Sequence, residues 1–140
     1  MPIMGIARFE RFFRVAAGLN VDKQDLKRYS DFVEQKLYDL LLVGQATAHA
    51  NTRDIIEPFD LPITKGLQES IHVFKGIDAE LALRPPLDLA YSDETEGRLP
   101  GIAGGLSVAL ARTFKIIDPR VRNPRNEEWK RGHQIFTQLL

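Results

Sequence analysis

Apolar residues recur every three or four positions along residues 22–51, which is the spacing of one face of an α-helix. The segment contains no proline, and its only glycine is Gly44. The pattern therefore predicts one long helix with a wide apolar stripe, which needs a partner to cover it. The stripe consists of Leu26, Tyr29, Phe32, Val33, Leu37, Leu40, Leu41 and Ala48.

Shorter helical patterns flank this segment. Apolar spacing and turn residues predict helices over residues 6–17, 63–74, 77–84, 99–118 and 126–140. Asp60 and Pro62 mark the start of the second of these, and Pro100 fits the first turn of the fourth. Pro85 and Pro86 end the helix before them, and the polar stretch 91–97 is typical of a loop.

The order of these elements indicates an all-α protein of two similar halves. Each half has a short helix, a long helix and a short helix, although the halves share little residue identity. At 140 residues, the chain has the length of one domain. We expect a single domain over residues 1–140, made of one half over about 6–76 and another over about 77–140. The long helix at 99–118 is then the expected partner of the helix at 22–51.

Residues in the turn after the first long helix carry a family resemblance. Arg53 lies seven residues before Asp60, Ile56 sits between them, and the helix ends in His49 and Ala50. With the order short helix, long helix, short helix, these residues resemble the histone fold of archaeal histones. The whole chain is similar to uncharacterised histone-like proteins that join two histone folds in tandem.

That resemblance implies several features of structure and function. The two halves would cross in a handshake, as an intramolecular pseudodimer, and Arg53 and Asp60 would form a structural ion pair. Ile56 would form an extended contact in the loop. Members that bind DNA do so without reading sequence, through loops and helix ends that contact phosphates. This chain departs from them at Asp54 and Ile55, where a lysine and a threonine would be expected.

The distribution of charge bears on whether the chain binds DNA. The chain has 19 basic and 19 acidic residues, whereas strong DNA binders usually carry a basic excess. Residues 112–133 nevertheless hold seven basic residues against three acidic ones. The candidate phosphate contacts are Arg8, Arg11 and Arg14 on the first helix, Lys23 and Lys27 on the long helix, and Arg120, Arg122 and Arg125 in a loop. The alternative is that these residues belong to solvated surfaces or local ion pairs.

Other chemistries have little support in the sequence. There is no cysteine, and His49, His72 and His133 lack the spacing of metal ligands. No residue pattern indicates catalysis, so we expect neither an enzyme nor a cofactor, metal or small-molecule substrate. The expected partner is duplex DNA, or alternatively other protein subunits or a second copy of the chain. No membrane segment is evident, and the expected location is the cytoplasm, including the nucleoid.

Overall fold

A computed structural model describes residues 3–140 and is all-helical across that range. It contains α1 (Ile6–Ala17), α2 (Lys23–Ala50), α3 (Lys65–Lys75), α4 (Asp93–Ile117) and α5 (Asn126–Leu139), with a 3₁₀ turn at Pro58–Asp60. Extended pairing in the described residues is limited to an isolated parallel bridge between Ile56 and Tyr91. The predicted all-α class is confirmed.

The long helix α2 forms as its sequence predicts. Asp22 caps it by accepting a hydrogen bond from the Gln24 N–H, while Asp25 accepts one from the Asp22 N–H. All eight residues of the predicted apolar stripe are buried. The stripe faces α4, where the Tyr29 hydroxyl lies 2.7 Å from Ser107 Oγ. Ser107 itself donates to the Ala103 carbonyl, so Tyr29 is the donor in this buried pair.

The second long helix, α4, begins six residues earlier than its sequence pattern predicts. Ser92 caps α4 by accepting from the Thr95 N–H, and Asp93, Glu94 and Glu96 suit the positive end of its dipole. The prediction of a loop at 91–97 is therefore largely wrong, and Pro100 lies inside the helix. The serine followed by acidic residues was the signal for this start.

Residues 77–84 form no helix, which is a second correction. Packed and exposed positions alternate there: Ile77, Ala79, Leu81 and Leu83 pack on the core, while the residues between them, Ala82 included, are exposed. A period of two is typical of extended chain, and Pro85 disfavours helical backbone at the residue before it. The second half thus lacks a first short helix, and the predicted repeat of helix order is incomplete.

The third helix also starts later than predicted. Asp60 lies in the 3₁₀ turn, and Thr64 caps α3 by accepting from the Leu67 N–H. Helix α3 packs closely on α4 at two glycines, Gly104 and Gly105, which are both buried. A Cβ atom at Gly105 would lie 2.5 Å from Ile71 Cγ1 and 3.0 Å from the Ile71 backbone nitrogen. The missing side chains at Gly104 and Gly105 therefore allow the two helices to approach closely.

Helix α5 is held to the rest of the core mainly by large aromatic side chains. Trp129 lies between Phe13 of α1 and Phe114 of α4, with ring centroids 5.9 and 4.9 Å away. Phe136 packs edge-on against Phe32 of α2 at 5.0 Å. The Trp129 contacts join α5 to α1 and α4, and Phe12 of α1 extends the same cluster to α3 through Phe74, with ring centroids 6.1 Å apart.

Candidate nucleic-acid interface

Two loops meet where α2 begins and α4 ends, and we call this region the arginine end. It consists of residues 18–22, which precede α2, and residues 118–125, which follow α4. The Asn20 N–H donates to the Arg122 carbonyl at 2.6 Å, joining the two loops directly. Gly18, with a φ of 65°, ends α1 in the left-handed conformation and turns the chain into the first loop.

The three arginines of this end are available to solvent. Arg120, Arg122 and Arg125 are all exposed, and the ion pairs found within residues 3–140 involve other cations. Neighbouring carboxylates are instead held by backbone donors. Asp118 accepts from the Arg120 N–H at 3.0 Å, and Glu128 accepts from the Arg125 N–H at 3.3 Å. The guanidinium groups are therefore free to bind an external anion.

A cleft of about 820 Å³ lies between these loops, but its lining does not suit a phosphate. Arg28 and Arg125 line it together with four carboxylates, those of Asp22, Asp25, Glu127 and Glu128. Burial raises the pKa of Asp25, which also lies close to the charge of Asp22. Arg120 and Arg122 are not part of this lining.

The two candidate lysines of α2 differ in their surroundings. Lys23 is the first residue of α2 and is exposed at the arginine end. Lys27 is one turn further along, and its Nζ lies 2.9 Å from an Asp31 carboxylate oxygen. That hydrogen bond raises the pKa of Lys27. Of the two, only Lys23 offers a cation without a nearby partner in the described part of the chain.

The arginine row of α1 lies against the connecting segment. Arg11 Nη1 donates to the Asp78 carbonyl at 2.8 Å, and Arg8 Nη1 lies 3.9 Å from Glu80. Arg14, in the last turn of α1, is the member nearest along the chain to the 18–22 loop. The structure thus divides the predicted site residues, bringing Lys23 and the loop arginines together and placing Arg8 and Arg11 against residues 78–80.

The opposite loop contains a two-pronged ion pair. Arg53 donates to both carboxylate oxygens of Asp60, at 2.7 and 2.6 Å, and its guanidinium lies over the Phe59 ring. Asp60 is buried and also accepts the Glu57 N–H. The Arg53 hydrogen bonds lower the pKa of Asp60 to about 2. In the second half, Arg120 lies seven residues before Glu127, the same spacing, but Glu127 lies 3.9 Å from Arg131 instead.

This ion pair makes stability depend on pH in the acid range. The pKa of Asp60 falls from 3.8 to about 2 on folding, so its contribution is complete above about pH 4 and is lost towards pH 2. We expect Asp60→Asn to lower the melting temperature at pH 6, where the ion pair is intact. Near pH 2 the melting temperatures of the variant and the original protein should be similar. Thermal melts of both proteins across this range, followed by circular dichroism, measure the difference. A constant difference at all pH values would contradict this assignment of the ion pair.

The histidine and carboxylate side chains of the described residues are not arranged as a metal site. Within residues 3–140, no group of three histidine, aspartate or glutamate side chains is placed to hold a metal ion. His133 stacks on Phe32, with ring centroids 5.0 Å apart, and burial followed by the charge of Lys36 lowers its pKa. None of the described helices is both long and apolar enough to cross a membrane.

Comparison with other proteins identifies the class and then the family. The class is an all-helical domain built on two long helices joined by loop contacts at both ends. The family model described as a domain of unknown function, DUF1931, matches residues 9–137, and the chain belongs to this family. One uncharacterised protein of Aquifex aeolicus (strain VF5) is 24% identical over 97% of this chain and 84% of its own length. Another from the same organism is 30% identical over 84% of this chain and 81% of its own.

Two crystal structures are similar along nearly the whole chain. A protein from Thermus thermophilus is 48% identical, with a TM-score of 0.88, covering 98% of this chain and 99% of the other. A protein from Aquifex aeolicus is 24% identical, with a TM-score of 0.83, covering 99% of this chain and 97% of the other. The structural similarity to the Aquifex aeolicus protein establishes a common fold.

Proposed function

We propose that this protein is a histone-like double unit that binds the phosphate backbone of duplex DNA without sequence preference. Support for the histone-like fold comes from the packing of α2 against α4 and from loop contacts at both ends. At one end Asn20 bonds to Arg122, and at the other Ile56 pairs with Tyr91. The Arg53–Asp60 ion pair adds to this support, since histones carry an equivalent pair at this point in the fold.

One observation carries the DNA-binding part of the proposal. The Asn20–Arg122 hydrogen bond holds the 118–125 loop, which carries three exposed arginines, beside the start of α2, where Lys23 is also exposed. Arginine donates two parallel hydrogen bonds to a phosphate, and the contact carries no information about base sequence. The proposed role is therefore a weak, sequence-independent association with nucleoid DNA, without catalysis or a cofactor.

Salt dependence tests this proposal directly. Neutralising phosphates releases counterions, so the logarithm of the binding constant falls by about 0.9 per contact for each unit of log salt. With about four cations involved, we expect fluorescence anisotropy to give a slope of roughly −3 to −4 between about 50 and 200 mM salt. Duplexes of unrelated sequence should bind with similar affinity. Absence of binding at about 50 mM salt would end the DNA proposal.

A second candidate function is a protein-interaction module that does not bind DNA. A groove of about 580 Å³ between α3 and α4 favours it, because Phe59, Ile63 and Ile71 line the groove. The Phe59 side chain is 76% exposed, which is unusual for a large aromatic residue. Zero net charge and Asp54 also fit this alternative. If it holds, the protein should self-associate or bind another subunit, and Phe59→Ser should weaken that association in light scattering.

A further inference from the structure

The two loop ends of the molecule have opposite charge. The arginine end holds three arginines and two carboxylates in residues 18–22 and 118–125. With the adjoining turns of α2 and α5, residues 18–28 and 118–131, it holds eight basic residues and five carboxylates. We call the other end, residues 51–57 and 88–96, the acidic end. It holds six carboxylates and a single basic residue, Arg53. The six are Asp54, Glu57, Asp88, Asp93, Glu94 and Glu96. The molecule therefore has two similar loop junctions of very different chemistry.

Side-chain pairing increases this contrast. At the arginine end, Asp22 and Asp118 accept backbone N–H groups, while the guanidinium groups remain free. At the acidic end, Arg53 is bound by both oxygens of Asp60, so its charge is already matched. Asp54, Asp93 and Glu96 are exposed there, and the ion pairs found within residues 3–140 do not include them. Free positive charge thus lies at one end and free negative charge at the other.

The acidic residues surround the loop junction itself. The Ile56 N–H donates to the Ala90 carbonyl at 2.9 Å, and the Ser92 N–H donates to the Ile56 carbonyl at 3.1 Å. Burial and then the charges of Glu96 and Asp88 raise the pKa of Tyr91, the residue bridged to Ile56. A phosphate approaching this junction would therefore meet carboxylates on the 88–96 side and Asp54 on the other.

Distance keeps the two ends electrostatically separate. Helix α2 runs from one junction to the other, and its 28 residues span about 42 Å at 1.5 Å per residue. The Debye length at physiological salt is about 8 Å, so charges at one end are screened from the other. The net charge of zero is therefore a sum over two ends of opposite charge. A partner at either end meets mainly the charges of that end.

From this separation we infer that the chain binds DNA at one end only. The inference rests on the proposed function. The arginine end binds one duplex, and the carboxylates of the acidic end repel the phosphates of a second. A single chain consequently covers one duplex segment without linking two, and bound chains present a negatively charged face away from the DNA.

The stoichiometry of the complex tests this inference. Sedimentation velocity of the full chain with an excess of a hairpin duplex of about one helical turn, roughly 10 base pairs, should give one duplex per chain. Two duplexes per chain would overturn the inference while leaving the DNA proposal intact. No complex at all at about 50 mM salt would instead show that the DNA proposal has failed.

A charge-reversal variant tests the cause. Asp54→Lys, Asp93→Lys and Glu96→Lys change three exposed side chains and leave the Ser92 cap and the Arg53–Asp60 ion pair in place. We expect the triple variant to take up a second duplex, doubling the DNA bound per chain. If this variant keeps its helical content and still binds one duplex, negative charge is not what prevents DNA from binding at the acidic end.

Discussion

Replacing Gly105 with alanine should be among the most destabilising single changes in α4. The added Cβ would lie 2.5 Å from Ile71 Cγ1 and 3.0 Å from the Ile71 backbone nitrogen, so α3 itself would have to move. Overpacking of this kind usually costs about 1–3 kcal/mol, and backbone contact places this site at the upper end, about 3 kcal/mol. The gain in helix propensity, about 1 kcal/mol, offsets part of that cost.

Gly101 provides the matched control on the same helix. A Cβ there would lie 3.9 Å from Ile71, an ordinary contact, so Gly101→Ala should be neutral or stabilising by up to about 1 kcal/mol. Urea unfolding of both variants, followed by circular dichroism, gives the two free energies. Equal stability of Gly101→Ala and Gly105→Ala would contradict the close packing of α3 on α4.

Removing the three loop arginines should weaken DNA binding more than any other change of equal charge. Arg120→Ala, Arg122→Ala and Arg125→Ala together delete the exposed guanidinium groups of the arginine end. If each contacts one phosphate, the salt slope should become shallower by about 2.7, and affinity at about 50 mM salt should fall at least about tenfold. The three side chains are exposed, so the melting temperature should change little.

The control variant carries the same change in net charge elsewhere. Lys65→Ala, Lys75→Ala and Arg98→Ala remove three exposed cations from α3 and the first half of α4. This triple variant should retain most of the affinity and the original salt slope. An equal loss in both variants would mean that binding follows overall charge, and that the arginine end has no special part in it.

Much of the first half could be predicted because its local signals agree. The stripe of α2 repeats at helical spacing, Asp22 and Asp25 cap it, and every stripe residue is buried. The spacing of Arg53 and Asp60 likewise pointed to two residues that lie in direct contact. In such segments the periodicity, the caps and the tertiary contacts all favour one structure.

The second half was harder to predict because its signals conflict. Pro100 is typical of a helix start, yet Ser92 and the acids after it begin α4 earlier and leave the proline inside the helix. Residues 77–84 are rich in helix formers such as alanine and leucine. Their core-facing residues nevertheless recur at every second position, and the segment is extended rather than helical. In both places one local signal, the Ser92 cap or the period of two, outweighed another.

The candidate site was predicted in part. The arginine cluster at 120–125 and its closeness to the start of α2 followed from the resemblance. Asn20, whose N–H joins the two loops, has no distinguishing feature in the sequence. The charge contrast between the ends was also missed, since Asp54 and residues 88–96 are far apart in sequence. The Ile56–Tyr91 bridge and the hydrogen bond from the Thr95 hydroxyl to the Ile56 carbonyl bring them to one place.

Mapping the DNA-contacting surface by NMR tests the central proposal most directly. Backbone amide shifts of the full chain, recorded while a short duplex is added at low salt, report which residues meet the DNA. We predict changes centred on residues 18–28 and 118–131, with little change at residues 51–60 and 88–98. Chemical-shift changes concentrated at the acidic end, or no changes at a large excess of duplex, would contradict the proposal that the arginine end binds DNA.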